Sequence, residues 1–186
     1  MDINPDLIEE KITPKTRAII AVHTMGKPCK MDKIMEIAKK HNLYVIEDGC
    51  EAHGAKYKGK YIGHWGDMVT FSFFAAHLIC TSEGGMISTN NEKFANLLRS
   101  TRSHGRKENS LYFDHVRIGT NSKMTDLAAS LGLEGIERFW EVFNKRKANL
   151  NYFLKKTKDL EKFAYFNIEE NHEVLCPHGF SIILKS

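Results

Sequence analysis

Cysteine is scarce in this sequence, and its spacing fits no metal-binding pattern. The four cysteines, Cys29, Cys50, Cys80 and Cys176, lie far apart and form no C-x-x-C pair. This spacing argues against zinc or iron–sulfur ligation and against a disulfide framework. It predicts a protein of a reducing compartment, the cytoplasm, that holds no metal.

Long apolar runs and basic blocks are lacking as well. No stretch is apolar enough to span a bilayer, and no signal-peptide pattern is present. The net charge of +4 is spread among residues of both signs, without a basic block interleaved with aromatic residues. We therefore expect neither a membrane nor a nucleic acid as a partner. The 186 residues, 42% of them hydrophobic, are enough to bury one core.

Apolar runs alternate with amphipathic segments, and this order predicts an α/β fold. Buried strands are expected at 17–23 and 43–48, with a helix at 31–41 between them and Asn42 as its terminator. A strand, a helix and a second strand with short links indicate a parallel sheet. The remaining expected elements are a hairpin or turns at 54–67, strands at 68–74 and 86–89, helices at 91–103 and 125–158, and a loop at 104–124.

Both ends of the sequence look unfinished. The first twelve residues predict a helix that precedes any strand. The last segment, GFSIILKS at 179–186, predicts a strand with no later strand to pair with. We expect this sequence to be a piece of a longer fold.

Several polar residues stand where a ligand could bind. Asp48 ends a buried strand, at the edge where open α/β sheets bind ligands. A carboxylate there can hold a protonated ring nitrogen, a metal or a ribose hydroxyl, or can cap the following turn. Ser72, within an apolar strand, can bond to the backbone or donate to a phosphate.

Each of the other candidates also has a purely structural explanation. A lone histidine beside apolar residues, such as His77, is more often structural than catalytic. Asn121 and Thr125 precede a helix and can be N-caps. The remaining scattered histidines that we expect to be structural are His23, His53 and His104.

Taken in order, these segments resemble one known family. PKTRAIIAVHTMGKP, VIEDGCEAHGA, GDMVTFSFFAAHLICTSEGGMIST, RSHGR and IGTNSKMTDLAASLGLEGIER follow the segment order of the DegT-type sugar aminotransferases and their relatives. The likeness covers about residues 2–155. It implies fold type I of pyridoxal-phosphate enzymes, an α/β/α large domain with a mostly parallel sheet. Residues 1–135 would belong to this large domain, and 136–186 would form a connecting helix and the beginning of a small C-terminal domain.

The resemblance also implies roles for individual residues. Asp48 matches the aspartate that pairs with the pyridine nitrogen of the cofactor, and Ser72 matches a serine that contacts the cofactor phosphate. Asn121 matches the asparagine that reaches across a homodimer to the partner's cofactor phosphate. The family's loop that supplies further phosphate donors and a ring-stacking aromatic group would precede Met1.

His77 stands six residues before Glu83, where the family has its Schiff-base lysine. An imidazole cannot form that imine, but it can transfer protons near neutral pH. The sugar 3-dehydratases of this family, which use pyridoxamine phosphate, carry this same change, and Ala75-Ala76-His77-Leu78-Ile79 is similar to their sequence. Glu51, where the aminotransferases have glutamine, agrees with the dehydratases. Residues 104–120 contain no cysteine, which fits the branch without an iron–sulfur cluster.

The resemblance implies dehydration of a nucleotide-linked 4-keto-6-deoxyhexose at C3, with His77 as the base and Asp48 keeping the ring nitrogen protonated. Glutamate would serve as the amino donor. Two alternatives remain open. One is a sugar aminotransferase whose lysine lies elsewhere, such as Lys107 or Lys123. The other is a non-catalytic scaffold or inactive fragment of the same fold.

Overall fold

The computed structural model describes residues 2–107 and 110–185. The predicted N-terminal helix, the 104–124 loop and the last strand each include residues outside these ranges. In chain order the strands and helices are β1 Ala18–Val22, α1 Met31–Lys40, β2 Tyr44–Asp48, β3 Lys56–Tyr57, β4 Lys60–Tyr61, β5 Met68–Ser72, β6 Gly85–Ser88, α2 Glu92–Arg102, α3 Asp126–Glu137, α4 Phe139–Lys156, β7 Ala164–Phe166, β8 Glu173–Val174 and β9 Ile182–Leu184.

The central sheet has four strands in the order β1-β2-β5-β6. The first three run parallel, and β6 pairs antiparallel with β5. The register pairs Val22 with Asp48, and Asp48 with Thr70. The predicted α/β class and mostly parallel sheet are confirmed, and the carboxyl ends of β1, β2 and β5 meet at one edge.

Helices cover both faces of this sheet. Side chains alternate between the two faces along a strand. In β2, Val45 is buried in the same core as Ile34 of α1, whereas the ring of the preceding Tyr44 lies 5.3 Å from the ring of Phe94 in α2. Helices α1 and α2 therefore lie on opposite faces, which gives the expected three layers.

Two tight turns occur where the sequence predicts them. Asn42, just after α1, has a φ of 52°, the left-handed conformation typical of a helix terminator. The hairpin of β3 and β4 turns at Lys58 and Gly59, whose φ values of 47° and 79° fit a two-residue turn.

The single helix expected over 125–158 is wrong, because the structure has two helices there. They meet at Arg138, whose φ of −90° and ψ of 0° interrupt the helical backbone. The two helices pack against different segments. In α3, a Cβ at Gly132 would lie 2.9 Å from the Thr81 side chain. In α4, the ring of Phe143 is buried in the main core.

The prediction of an N-terminal helix is also wrong. Residues Pro5–Leu7 and Glu9–Lys11 form two separate 3₁₀ turns. Each turn closes after two i→i+3 bonds, the last of which run from the Ile8 N–H to the Pro5 carbonyl and from the Ile12 N–H to the Glu9 carbonyl.

The last strand pairs with a strand that precedes it in the chain. Strand β9 pairs antiparallel with β7, with Tyr165 opposite Ile183. Both strands have only three residues, which is too short for a clear alternation. The boundary at residue 135 stays a prediction, although the break at Arg138 lies near it.

The C-terminal segment is tied to the loop that follows β1. Strand β8 pairs with β3 through Lys56 and Val174. Cys176 N–H then donates to the Gly26 carbonyl at 2.9 Å, and a Cβ at Gly26 would lie 1.7 Å from the Cys176 oxygen. Only glycine allows this approach, which brings residues 177–179 close to the edge of the central sheet. Within the described ranges, no helix has both the length and the apolar content that a bilayer crossing requires.

Candidate active site

Asp48 is the last residue of β2, at the carboxyl edge of the sheet. Its Oδ1 accepts hydrogen bonds from the Cys50 N–H at 3.1 Å and from the Thr70 hydroxyl at 3.4 Å. Both hydrogen bonds are made to the same carboxylate oxygen. The other oxygen of this half-buried carboxylate can therefore receive a ligand's donor, such as a protonated ring nitrogen.

Glu47, the residue before Asp48, points to the opposite face and anchors the strand. Its fully buried carboxylate accepts three backbone N–H bonds from the 63–66 turn, at 2.7–3.0 Å, and lies 3.3 Å from His23 Nε2. Burial alone would raise the pKa of Glu47, but the bonds from His23 and the backbone outweigh it and lower the pKa. His23 is structural, as expected, because it is buried and its Nδ1 accepts the Cys29 N–H.

His77 lies in the turn after β5, and one nitrogen of its ring is committed. Nδ1 lies 2.5 Å from the Cys50 carbonyl oxygen. A carbonyl oxygen can only accept, so Nδ1 carries the proton and Nε2 is the acceptor of the neutral ring. Arg146 of α4 donates to the Ala76 carbonyl at 3.2 Å and holds the turn in place. Cys50 thus contacts both candidate catalytic side chains, since its N–H binds Asp48 and its carbonyl binds His77.

Two other histidines and one carboxylate surround His77. The ring of His53 lies 6.1 Å from that of His77, and the ring of His178 lies 4.9 Å from it. His178 Nε2 is 3.4 Å from Glu51 Oε1, while Glu51 Oε2 accepts the Met25 N–H at 2.5 Å. Glu51 is thus engaged with backbone and with His178 at the same edge of the sheet.

Burial dominates the titration of both flanking histidines. It lowers the pKa of His53 to about 4, with smaller contributions from His77 and His178. Both ring nitrogens of His53 are buried without a hydrogen-bond partner among the described residues. Burial also lowers the pKa of His178, against the opposing effect of Glu51. Both rings are neutral at neutral pH.

The two predicted phosphate-binding residues lie in different places. Ser72 ends β5, next to β2, and its Oγ accepts the Phe74 N–H at 3.2 Å, so its hydroxyl hydrogen remains available to a phosphate. Asn121 is exposed and pairs with Ser103 beside the end of α2. No recorded contact joins Asn121 to Asp48 or His77 within the described ranges. Thr125, the alternative cap, does cap α3 by accepting the Ala128 N–H.

A large cleft lies beside these residues rather than over them. It has a volume of about 1160 Å³ and runs along β5, β6, α2 and the 120–125 segment. Its lining includes Thr70, which binds Asp48, and the cationic side chains of Arg102 and Lys123. We locate the candidate site by the hydrogen bonds of Asp48 and His77, because the cleft contains neither residue.

One cluster has metal-ligand chemistry, but a lysine already contacts its two carboxylates. Ligand atoms of Glu170, His172 and Glu173 lie within 4.8 Å of one another. Lys27 Nζ lies 2.5 Å from Glu173 and 3.5 Å from Glu170, so the carboxylates are already paired with a cation. The absence of a metal stays a prediction.

Sequence reasoning missed His178 and Cys50 as parts of the site. His178 carries no motif, and only the fold of the C-terminal segment brings it to His77. Cys50 acts through its backbone, so its residue type gives no signal, although its place two residues after Asp48 could have suggested it.

The residues present fit a pyridoxal- or pyridoxamine-phosphate cofactor. Asp48 has a free carboxylate oxygen for a ring nitrogen, and Ser72, on the neighbouring strand, has a hydroxyl for a phosphate. His77 contacts both the Cys50 carbonyl and the His178 ring, and its imidazole offers a base rather than an amine. A pyridoxal-phosphate type of cofactor can therefore be accommodated at this edge of the α/β sheet.

Comparison with known proteins agrees. The model of the DegT/DnrJ/EryC1/StrS aminotransferase family matches residues 1–186, and the chain belongs to this family. It has the architecture of fold type I, and family members depend on pyridoxal or pyridoxamine phosphate.

The individual relatives include a GDP-perosamine synthase and two sugar 3-dehydratases. The GDP-perosamine synthase of Escherichia coli O157:H7 is 42% identical over 153 residues, which cover 82% of this chain and 42% of that protein. The GDP-4-keto-6-deoxy-D-mannose 3-dehydratase of Yersinia pseudotuberculosis is 30% identical over 202 residues, covering 100% of this chain and 50% of that protein. The E. coli 3-dehydratase solved with bound hydrated PLP has a TM-score of 0.87 and 29% identity, covering 100% of this chain and 51% of that one. The chain therefore spans about half the length of the relatives that it matches.

Proposed function

We propose that this protein is a pyridoxamine-phosphate-dependent 3-dehydratase of nucleotide sugars. The observation that carries this proposal is His77, whose Nδ1 is held by the Cys50 carbonyl while Nε2 remains a proton acceptor. An aminotransferase would require the amine of a lysine at position 77. We further propose a nucleotide-linked 4-keto-6-deoxyhexose as substrate, glutamate as amino donor, a homodimer and a cytoplasmic location.

When bound, pyridoxamine phosphate supplies an amino group that condenses with a keto sugar and a ring that accepts an electron pair. Asp48 keeps a ring nitrogen protonated through its second oxygen. Ser72 donates its hydroxyl hydrogen to the phosphate. His77 receives a proton at Nε2 and later returns it to the leaving C3 hydroxyl, which departs as water. In the homodimer, Asn121 contacts the cofactor phosphate in the partner's site rather than the one in its own site.

A sugar aminotransferase is the second candidate. The 42% identity with a GDP-perosamine synthase, within an aminotransferase family, favours it. This candidate requires a lysine that reaches the cofactor, and Lys123 lines the cleft that Thr70 also borders.

Absorbance spectra with added pyridoxal phosphate, before and after borohydride, separate these candidates in the full-length protein. A dehydratase binds the cofactor reversibly, and borohydride traps no lysine adduct. A trapped lysine adduct in the native protein overturns the dehydratase and supports the aminotransferase. Absence of any binding overturns both and supports a non-catalytic scaffold.

A further inference from the structure

His77, His178 and Glu51 form a row at the edge of the central sheet. The His77 and His178 rings lie 4.9 Å apart with planes inclined by 46°. On the far side of His178, Nε2 lies 3.4 Å from Glu51 Oε1. Glu51 is itself fixed by the Met25 N–H, so the row ends on a carboxylate that cannot easily turn away.

The contacts assign a protonation state to each imidazole. In His77 the proton is on Nδ1, because that atom donates to the Cys50 carbonyl. In His178 the neighbouring Glu51 favours the proton on Nε2, which leaves Nδ1 as the acceptor. This Nδ1 is buried and has no hydrogen-bond partner in the described part of the chain.

An unpartnered buried nitrogen is a feature that the fold does not require. Such a group lowers the stability of a protein, and an apolar ring of similar shape would avoid this cost. The charged and titratable groups around His178 are Glu51, His77 and Arg146. His53 lies behind His77 and is neutral because it is buried. His178 is thus a neutral acceptor beside the candidate base, with a carboxylate placed to stabilise it once it is protonated.

We infer that His178, backed by Glu51, is the proton-accepting partner of His77, a role that rests on the proposed function. No hydrogen bond joins the two rings in the described part of the chain, so one ring must first turn to bring Nδ1 of His178 to Nε2 of His77. The proton that His77 gains at Nε2 then passes to Nδ1 of His178, and His77 becomes neutral again. His178 is then an imidazolium beside Glu51. The proton returns through His77 to the leaving hydroxyl. One proton moves in each direction, and no electrons are exchanged. His178 acts through His77 and is therefore a positioning residue.

The first test needs neither cofactor nor substrate. Nitrogen-15 imidazole shifts of the full-length protein are followed as the pH is changed, in the native protein and in His178→Phe. We expect the His77 and His178 titrations to be coupled, and the His77 curve to change its midpoint and shape in the variant. His64→Phe, which removes an exposed imidazole beside Tyr61, is the matched control and should leave the His77 curve unchanged. Identical His77 curves in the native protein and in His178→Phe overturn the inference.

The second test separates a proton-transfer role from a packing role. We expect His178→Phe to lower kcat by about 10–100-fold with little change in KM and with unfolding temperature equal or higher. In His178→Asn an amide stands near the Nδ1 position but cannot hold the proton, so kcat should stay low there too. An unchanged kcat, or a loss that follows lost stability, overturns the inference. A protein that binds no pyridoxamine phosphate refutes the proposed function instead, and the titration then still decides whether the two histidines share a proton.

Discussion

The imidazole of His77 donates through Nδ1 to the carbonyl oxygen of Cys50, two residues beyond Asp48. This bond fixes both the tautomer of the ring and its distance from the strand end that carries Asp48. A proton acceptor and a carboxylate are thereby held at one edge of the sheet by a short piece of backbone. The consequences for catalysis and for stability can be measured.

Replacing His77 with asparagine should abolish dehydration while cofactor binding persists. The asparagine amide can still donate to the Cys50 carbonyl, so the turn should keep its shape, but the base is lost. General acid–base groups contribute about 10²–10⁴ in rate. Turnover with a nucleotide-linked keto sugar is measured beside a spectroscopic titration of pyridoxamine phosphate. Undiminished turnover would show that His77 is not the base.

Replacing His77 with lysine should give a protein that holds pyridoxal phosphate covalently. A primary amine at this position can condense with the cofactor aldehyde, and borohydride then makes the bond permanent. Mass spectrometry of peptides locates the adduct, with borohydride-treated native protein as the control. An adduct on any lysine other than the introduced one would contradict the assigned register.

His53 should make the protein less stable in acid. Burial first, then His77 and His178, lower its pKa to about 4, against an ordinary value of 6.5. The unfolded chain therefore binds a proton between these values and the folded chain does not, so the stability that neutral His53 provides is lost as the pH falls from 6.5 towards 4. The loss between pH 7 and pH 5 is about 2 kcal/mol.

Urea unfolding of the native protein and of His53→Phe at both pH values measures this loss. The variant keeps an aromatic ring against Phe71 but cannot be protonated. We expect its stability to fall less on acidification, by about the same 2 kcal/mol. Equal losses in the two proteins would show that His53 is not the titrating group.

Glu47→Ala should strongly destabilise the fold. It leaves three backbone N–H groups of the 63–66 turn unpaired and removes the partner of buried His23. Breaking such a buried polar cluster costs about 3–5 kcal/mol. Glu47→Gln retains an acceptor for the turn and should lose less, as seen by chemical denaturation. A change below about 1 kcal/mol in Glu47→Ala would mean that the turn finds other partners.

The part of the site on parallel strands was predictable because local patterns determine it. Apolar runs predict β2 and β5, and the carboxyl ends of neighbouring parallel strands must share an edge, which brings Asp48 and Ser72 together. The break at Arg138 was not predictable, because the apolar periodicity continues across it. It depends instead on α3 and α4 packing against different segments, such as Thr81 and Gly54.

The contact between His77 and His178 was unpredictable for a related reason. The two residues are far apart in the sequence, and their meeting depends on the pairing of β8 with β3 and on the approach of Cys176 to Gly26. These are long-range backbone contacts between very short strands, and such strands carry almost no periodicity.

The double contact made by Cys50 has a consequence for mutational tolerance. Its N–H and carbonyl group hold Asp48 and His77, so many side chains at position 50 would leave that arrangement intact, and sequence drift there is compatible with an unchanged spacing of the two groups. Proline is the exception, because it keeps the carbonyl group but has no N–H. Cys50→Pro would therefore remove the hydrogen bond to Asp48 while retaining the carbonyl acceptor for His77. Other substitutions at position 50 keep both backbone bonds, so only proline separates the support of Asp48 from that of His77.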